Sequence, residues 1–388
     1  MRKLIIFSLL FFSISAYSQT DKARLDSASA FIKSKNYLSA FNTLMRIDGS
    51  VPEVLSMVVS LFTTYSGWHN PSYNQWGLRD MTAKGEGPNT MVEFPMESAL
   101  GYAVQNYPKD CAVFFSLARF YGWVFTQERE SLPLANISAV RDYVVKMTPA
   151  NCYDQGYYFV VGYANTYLGQ PAEGAKQLAE AVYLNPQFLE GQIELANAYV
   201  QSKQPAKAIE TAKKVFDMTT SRGDRSRAAR IMGEAYELQN DNANALFRYQ
   251  QADTLHRTVF LVQKDILRFY VKNGDARSAD ALNAFIGGQG RESLHAYVDA
   301  YEIYKQYGKM TELEQFCEKM MKDWPDRQRL QASATFTLGL IRKEKDINKA
   351  KEYFRKAKEL GVTVEMYKVT RNHPGTEQIV ADAFKLIG

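Results

Sequence analysis

The stretch YYFVVGYANTYLGQPAEGAKQLAEAVYLNPQFLEGQIELANAYVQSKQPAKAIETAKKVF, Tyr157 to Phe216, contains one short pattern twice. Val161-Gly162, Gly169, Leu178, Ala181 and Pro186 are answered by Leu195-Ala196-x-x-Tyr199, Lys203, Ala208, Ala212 and Val215. Gly162 to Ala196, Gly169 to Lys203, Gly174 to Ala208 and Leu178 to Ala212 are each 34 residues apart. A fixed period of this length marks stacked helical hairpins. Each helix of such a hairpin has one apolar stripe that only the next hairpin can bury, so one repeat implies neighbours.

Toward the C-terminus the pattern continues after an extension through Arg222-Gly223-Asp224. Met232-Gly233, Tyr236, Ala245, Tyr249 and Ala252 form the next hairpin, followed by Ile266-Leu267, Tyr270, Gly274 and Ala279, then Ala300-Tyr301, Tyr304, Gly308, Leu313, Met320 and Pro325. Asn240 to Gly274 and Gly274 to Gly308 keep the 34-residue step. A last hairpin, Leu338-Gly339 to Gly361, is one residue short before Ala350, and Thr376 to Ile387 reads as a capping helix. Toward the N-terminus, Phe31, Tyr37, Ala40, Leu44, Ile47 and Pro52 mark a first hairpin. The second is split by an insertion, Ser66 to Phe94, and the third, from Cys111, has a lengthened inner turn from Gln127 to Leu134.

This pattern resembles the tetratricopeptide repeat (TPR) family: a small pair at positions seven and eight, Tyr at eleven, small residues at twenty and twenty-seven, an apolar residue at twenty-four, Pro at thirty-two. The ending Lys349-Ala350, Phe354-Arg355-Lys356-Ala357, Gly361 resembles the related Sel1-type repeat. The resemblance implies an all-α fold, a right-handed superhelical solenoid of about nine hairpins with a C-terminal capping helix, that binds proteins and needs no cofactor. The expected division is a signal peptide over 1–18, degenerate hairpins over 19–150 with insertions at 66–94 and 127–134, a regular array over 151–361, and a capping segment over 362–388.

Met1-Arg2-Lys3 followed by the apolar run Leu4 to Ile14 and Ala16-Tyr17-Ser18 has the layout of an export signal cut before Gln19. The run is shorter than the ~20 residues of a membrane span, and no Cys follows it for lipid attachment. The expectation is a periplasmic or secreted protein with no stable membrane insertion. Formal net charge is +5 over 388 residues, too weak for a nucleic-acid footprint. With three cysteines, at least one thiol is free. Cys111 and Cys152 fall near the starts of adjacent first helices and are either a disulfide or two buried thiols, while Cys317 reads as core.

Motifs for catalysis are missing: no Gly-x-Ser-x-Gly, no His-Glu-x-x-His, no Walker-type loop, no paired cysteines, and four dispersed histidines at 69, 256, 295 and 373. Binding is the function left for a solenoid. Positions two, five, nine, twelve and thirteen of the first helices should line a groove. They place Phe159, Tyr163 and Tyr167 at an aromatic end, Asn197 and Gln201 at a polar middle, and Arg230, Lys264 and Arg268 at a charged-to-basic end. Such a gradient suits an extended peptide with apolar and acidic parts. The carboxylate clamp of chaperone-binding TPR domains is absent, because Ile193 and Ile231 stand where it needs Lys and Asn. A second candidate is the insertion loop, whose Trp68, His69, Tyr73 and Trp76, together with Trp123, could stack on a glycan or grip a peptide or could pack on their own scaffold. The reading is an exported, non-enzymatic scaffold for other envelope or secreted proteins, with a periplasmic glycan- or peptide-binding protein as the alternative.

Overall fold

The computed structural model describes residues 19–49, 51–65, 68–70, 75–82, 85–127, 134–256, 260–364 and 375–388. The export segment 1–18, Tyr73, most of the 127–134 turn and His373 lie outside the described residues. The chain divides into two compact units, one built from Met1–Phe125 and Val140–Val161, the other from Thr126–Ala139 and Gly162–Gly388.

The helices come in pairs. They are α1 (Gln19–Lys33) and α2 (Tyr37–Leu44), α3 (Pro52–Tyr65) and α4 (Met96–Asn106), α5 (Cys111–Gln127) and α6 (Leu134–Met147), α7 (Gln155–Tyr167) and α8 (Pro171–Leu184), and α9 (Leu189–Gln201) and α10 (Pro205–Met218). The series continues with α11 (Arg222–Leu238) and α12 (Asn242–Leu255), α13 (Phe260–Asn273) and α14 (Ser278–Gly288), α15 (Leu294–Gln306) and α16 (Met310–Asp323), α17 (Gln328–Arg342) and α18 (Ile347–Glu359), and the single α19 (Thr376–Lys385).

Two local devices set the repeat in the second unit. The first is the inner turn. Gly169, Lys203, Asn240, Gly274 and Gly308 all have positive φ, from 57° to 83°. One left-handed residue ends each first helix, which glycine adopts at no steric cost and Asn or Lys at some. The second helix then starts at once, with Pro171 and Pro205 in the first turns of α8 and α10, and with the Asp241 carboxylate accepting from the Asn244 N–H at the start of α12. The last hairpin, one residue short, ends α17 at Lys343 in ordinary helical geometry instead.

The second device is close packing of a small first-helix residue on a larger second-helix one. A Cβ on Gly162 would stand 2.7 Å from Leu178, one on Gly233 2.7 Å from the Tyr249 ring, and one on Gly339 2.5 Å from Phe354. Where the first-helix residue is Ala196, the partner position holds Ala212, and both are fully buried. The larger the side chain on one helix, the smaller its opposite must be, so the interior stays at close-packed density. In α19, Val380 and Ala383 are buried, and the Phe384 ring lies edge-on to Phe336 at 6.1 Å. The capping helix thereby covers the apolar side of the last hairpin.

The first unit departs from the regular pattern. The insertion expected as a loop contains a three-stranded antiparallel sheet, β1 (Trp68–Asn70), β2 (Gln75–Thr82) and β3 (Gly85–Glu93), in the order β1-β2-β3. Trp68 pairs with Gly77, Trp76 with Val92 and Leu78 with Thr90, and the register shifts between Arg79 and Met81. Alternation along β2 directs Trp76 and Leu78 to one face, and both are buried. Trp76 stacks on Phe62 of α3 at 4.8 Å and also meets Phe120 and Trp123 of α5, at 6.1 and 5.1 Å. Trp76 is therefore a core residue and not an exposed ligand-binding aromatic: a fully buried indole contributes more by filling the space between α3 and α5 than a loop position would. Cys111 and Cys152 are joined by a disulfide with Cα atoms 5.0 Å apart, tying the start of α5 to the turn after α6, and Cys317 is a buried free thiol.

Candidate protein-binding groove

The first helices of the second unit carry a series of hydrogen bonds and ion pairs, most of them reaching from one hairpin to the next. Tyr167 donates its hydroxyl to Glu194 at 3.1 Å. Arg227 grips Glu190 with two N–H groups, at 2.7 and 2.9 Å, and lies 3.5 Å from Glu194. Arg230 bonds Glu234 on its own helix at 2.5 Å and Asp265 on α13 at 2.7 Å. Arg268 and Lys272 both close on Glu237, at 2.5 and 3.1 Å, and Lys264 reaches Asp299 of α15 at 2.6 Å. Most of these side chains are partly exposed, so the series forms a wall facing solvent while Glu194 and Glu237 are buried behind it.

Burial and the neighbouring charges together set the protonation of this wall. Burial alone would raise the Glu237 carboxyl, but the Arg268 guanidinium, the Tyr249 hydroxyl (2.6 Å) and Lys272 outweigh it and hold the pKa below the ordinary carboxylate range. Glu234 goes the other way. Burial pushes it up, and the neighbouring Asp265 carboxylate adds to that against the pull of Arg230 and Arg268, so that it reaches about 7. The Tyr249 hydroxyl is raised by burial and by the carboxylates around it, and stays a hydrogen-bond donor.

The expected gradient along the groove is corrected at both ends. Phe159 and Tyr163 are buried, 2% and 0% exposed, because bulky rings at these positions are covered by their surroundings. Phe159 belongs to the first unit, where it packs on Gly122, whereas Tyr163 stands in the second, tilted against Tyr167 at 4.5 Å. Of the three aromatics only Tyr167 is half exposed. The basic end is not a free positive surface either. Arg230, Lys264 and Arg268 each face a carboxylate, and the five cations of the wall meet seven acids: Glu190, Glu194, Asp224, Glu234, Glu237, Asp265 and Asp299. Asn197 is half-buried, with its amide 3.3 Å from Glu194, and Gln201 is exposed.

Three acids, Glu194, Asp265 and Asp299, escaped the sequence reading because they stand at position six, outside the groove positions. The signal was there: Arg230 to Asp265 and Lys264 to Asp299 are both 35 residues apart, opposite charges about one repeat away. A pocket of about 330 Å³ opens beside this wall, between Val200, Leu238, Asp265, Arg268 and Lys272. Leu238 is exposed there, so the groove offers an apolar contact flanked by paired charges. Of the insertion residues, Trp76 is withdrawn into the core, the side chains of Trp68 and His69 are not described, and Tyr73 lies outside the described residues.

Among the described residues no group of three or more His, Cys, Asp or Glu is placed to hold a metal ion, and no helix is long and apolar enough to cross a membrane. No family model matches the chain, and no curated protein matches it. Solved structures do. A Rap protein complexed with competence and sporulation factor is 10% identical over 87% of this chain and 100% of its own, with a TM-score of 0.45. A human IFIT1 dimer with PPP-AAAA is 15% identical over 87% of this chain and 82% of its own, at 0.44. The pilF protein of Pseudomonas aeruginosa is 11% identical over 56% of this chain and 95% of its own, at 0.38. Superpositions this loose carry nothing about function. The repeat geometry itself, with left-handed inner turns one repeat apart and small first-helix residues set against the second helix, makes the fold tetratricopeptide-like.

Proposed function

We propose that the protein is an exported scaffold that binds other proteins of the cell envelope, or secreted ones, along the groove of its second unit, without catalysis. The observation that carries this reading is the inter-hairpin wall of paired charges. It fixes adjacent first helices rigidly while leaving Asn197, Gln201, Val200 and Leu238 as half-buried to exposed contact points beside a pocket. Because its charges are already paired, the groove favours a partner segment with polar groups and one apolar anchor over a purely acidic peptide. The alternative, glycan or peptide binding through the insertion, has lost Trp76 to the core. Export is supported by the sequence of residues 1–18 and accords with a disulfide between Cys111 and Cys152. The final hairpin, with Gly339 against Phe354 and with Ala350 and Ala357 buried, is proposed to be of the Sel1-like subtype.

The test is site-specific photocrosslinking in the cells that make the protein. A photoreactive residue at Gln201 or Leu238 should capture a discrete protein partner, whereas one at the exposed Tyr183 of α8 should not. Capture at Tyr183 and not at the groove would refute the site. Cell fractionation with N-terminal sequencing tests export: the mature chain should begin at Gln19, and an uncut cytoplasmic chain would refute it.

A further inference from the structure

A second cavity in the second unit lies away from the groove, at the edge where the hairpins are joined to one another. The α14–α15 linker, the α16–α17 linker and the turn after α18 surround a space of about 900 Å³. Gly290 and Gly361, both at positive φ, shape two of these turns. Helix α17 is bonded to each of the three turns: Ser333 donates to the Glu292 carbonyl at 2.9 Å, Gln328 to the Leu360 carbonyl at 3.2 Å, and Gln331 to the Trp324 carbonyl at 2.9 Å. The cavity is thus a built feature of three connected turns.

Its charge differs from that of the groove. Arg291, Arg327 and Arg329 line it against one carboxylate, Glu292. Arg327 is 3.4 Å from Glu292. Arg291 donates to the neutral Asn283 side chain at 3.0 Å, and among the described residues no carboxylate pairs with Arg291 or with the exposed Arg329. The guanidinium groups of Arg291 and Arg327 converge on one indole, standing 5.9 and 5.7 Å from the centre of the Trp324 ring. Glu292 offsets the Arg327 charge, so the positive charge left for an incoming anion beside this ring is that of Arg291 and Arg329. Every cation of the groove wall, by contrast, already has its acid.

We propose that this inter-hairpin cavity is a binding site for an acidic peptide segment, separate from the groove and independent of what the groove binds. Carboxylates of the segment bond Arg291 and Arg329, and its backbone and side-chain stems lie on the half-exposed face of Trp324. The space is larger than a lone inorganic anion fills, and guanidinium forks suit the two oxygens of a carboxylate.

The experiment is calorimetric titration of the mature protein with an oligoglutamate peptide, with oligolysine and inorganic phosphate as comparators. Oligoglutamate should bind, less tightly as salt is raised. The Arg291→Gln/Arg329→Gln double variant should bind about tenfold more weakly or worse, while Arg355→Gln, an exposed cation on α18, should match the wild type within about twofold. Neither exchanged side chain is in the core, and an unchanged circular dichroism melt establishes that the double variant is folded. Binding unaffected by the double variant, binding of phosphate with none of the peptide, or no binding of the peptide at all would each overturn the proposal. Crosslinking at Gln201 and Leu238 reads the groove separately.

Discussion

Gly233→Ala should destabilise the second unit even though alanine is the better helix former. In a free helix the exchange would gain roughly 1 kcal/mol. Here the new Cβ would stand 2.7 Å from two ring carbons of Tyr249. That ring cannot step aside. It is fully buried, its hydroxyl is bonded to Glu237 at 2.6 Å, and Phe269 meets its edge at 6.1 Å. Either α11 and α12 separate or the hydrogen bond is lost, and overpacking of this kind costs about 1–3 kcal/mol. With the ring held on three sides the cost falls in the upper part of that range, about 2–3 kcal/mol, and the expected net loss is about 1–2 kcal/mol after the gain in propensity is set against it. Gly101→Ala is the control. It lies within α4, a Cβ there has nothing within 4 Å, and it should stabilise by roughly 0.5–1 kcal/mol. Because repeat arrays need not unfold in one step, the assay is hydrogen exchange followed by mass spectrometry. Amides of α11 and α12 should lose protection in Gly233→Ala, with those of α17 and α18 unchanged. If Gly233→Ala were as protected as the wild type, the size matching across the hairpin would not be what sets the repeat.

Tyr249→Phe removes the hydroxyl donated to buried Glu237 and should cost about 1.5–3 kcal/mol, read by denaturant unfolding. Glu234 has a pKa raised from 4.5 to about 7, so its contribution to stability is complete below pH 4.5 and is lost as pH rises through about 7. Glu234→Gln should flatten that slope in melts between these values, without altering the acid side below pH 4.5, where the depressed Glu237 governs the opposite trend. Trp76→Ala should cost about 3–5 kcal/mol in the first unit by opening a cavity beside Phe62, and a variant that melts like the wild type would return Trp76 to the surface. Breaking the Cys111–Cys152 bridge by exchanging both for serine should cost roughly 2–4 kcal/mol, visible as a lower melting temperature that reductant no longer shifts.

The regular half of the fold could be read from the sequence because each repeat restates the same two constraints. Gly169 and Gly274 mark left-handed turns, and Gly162, Gly233 and Gly339 mark the close approach of two helices. Both demand a residue type at a fixed place. The groove was harder. Position five or nine of a first helix can be open or covered according to how far the neighbouring residues reach over it, and nothing local says that Phe159 and Tyr163 are covered while Arg230 and Arg268 are partly open. Charge type was legible from the groove positions alone, whereas charge pairing shows only when position-six acids are set against basic residues 35 residues earlier, as for Arg230 with Asp265 and Lys264 with Asp299. The insertion failed for a different reason. Its Gly, Asn and Pro residues read as turn formers, whereas the pattern that matters is the two-residue alternation of Trp76 and Leu78, too short to stand out.

The sheet between α3 and α4 also changes how the chain reaches its native state. In the second unit the helices of a hairpin are joined by turns of a few residues, so their partners meet early and at little entropic cost. The partners α3 and α4 are parted by thirty residues, 66 to 95, and the segment must be gathered before they can pack. Closing so long a loop is compensated only once Trp76 has found Phe62 and Trp123. The sheet should accordingly be the slow step of folding in the first unit, read in pulsed hydrogen exchange as amides of α3 and α4 gaining protection after those of the second unit. The hairpins downstream can propagate one from the next, whereas the second hairpin has to wait for strands that pair among themselves first.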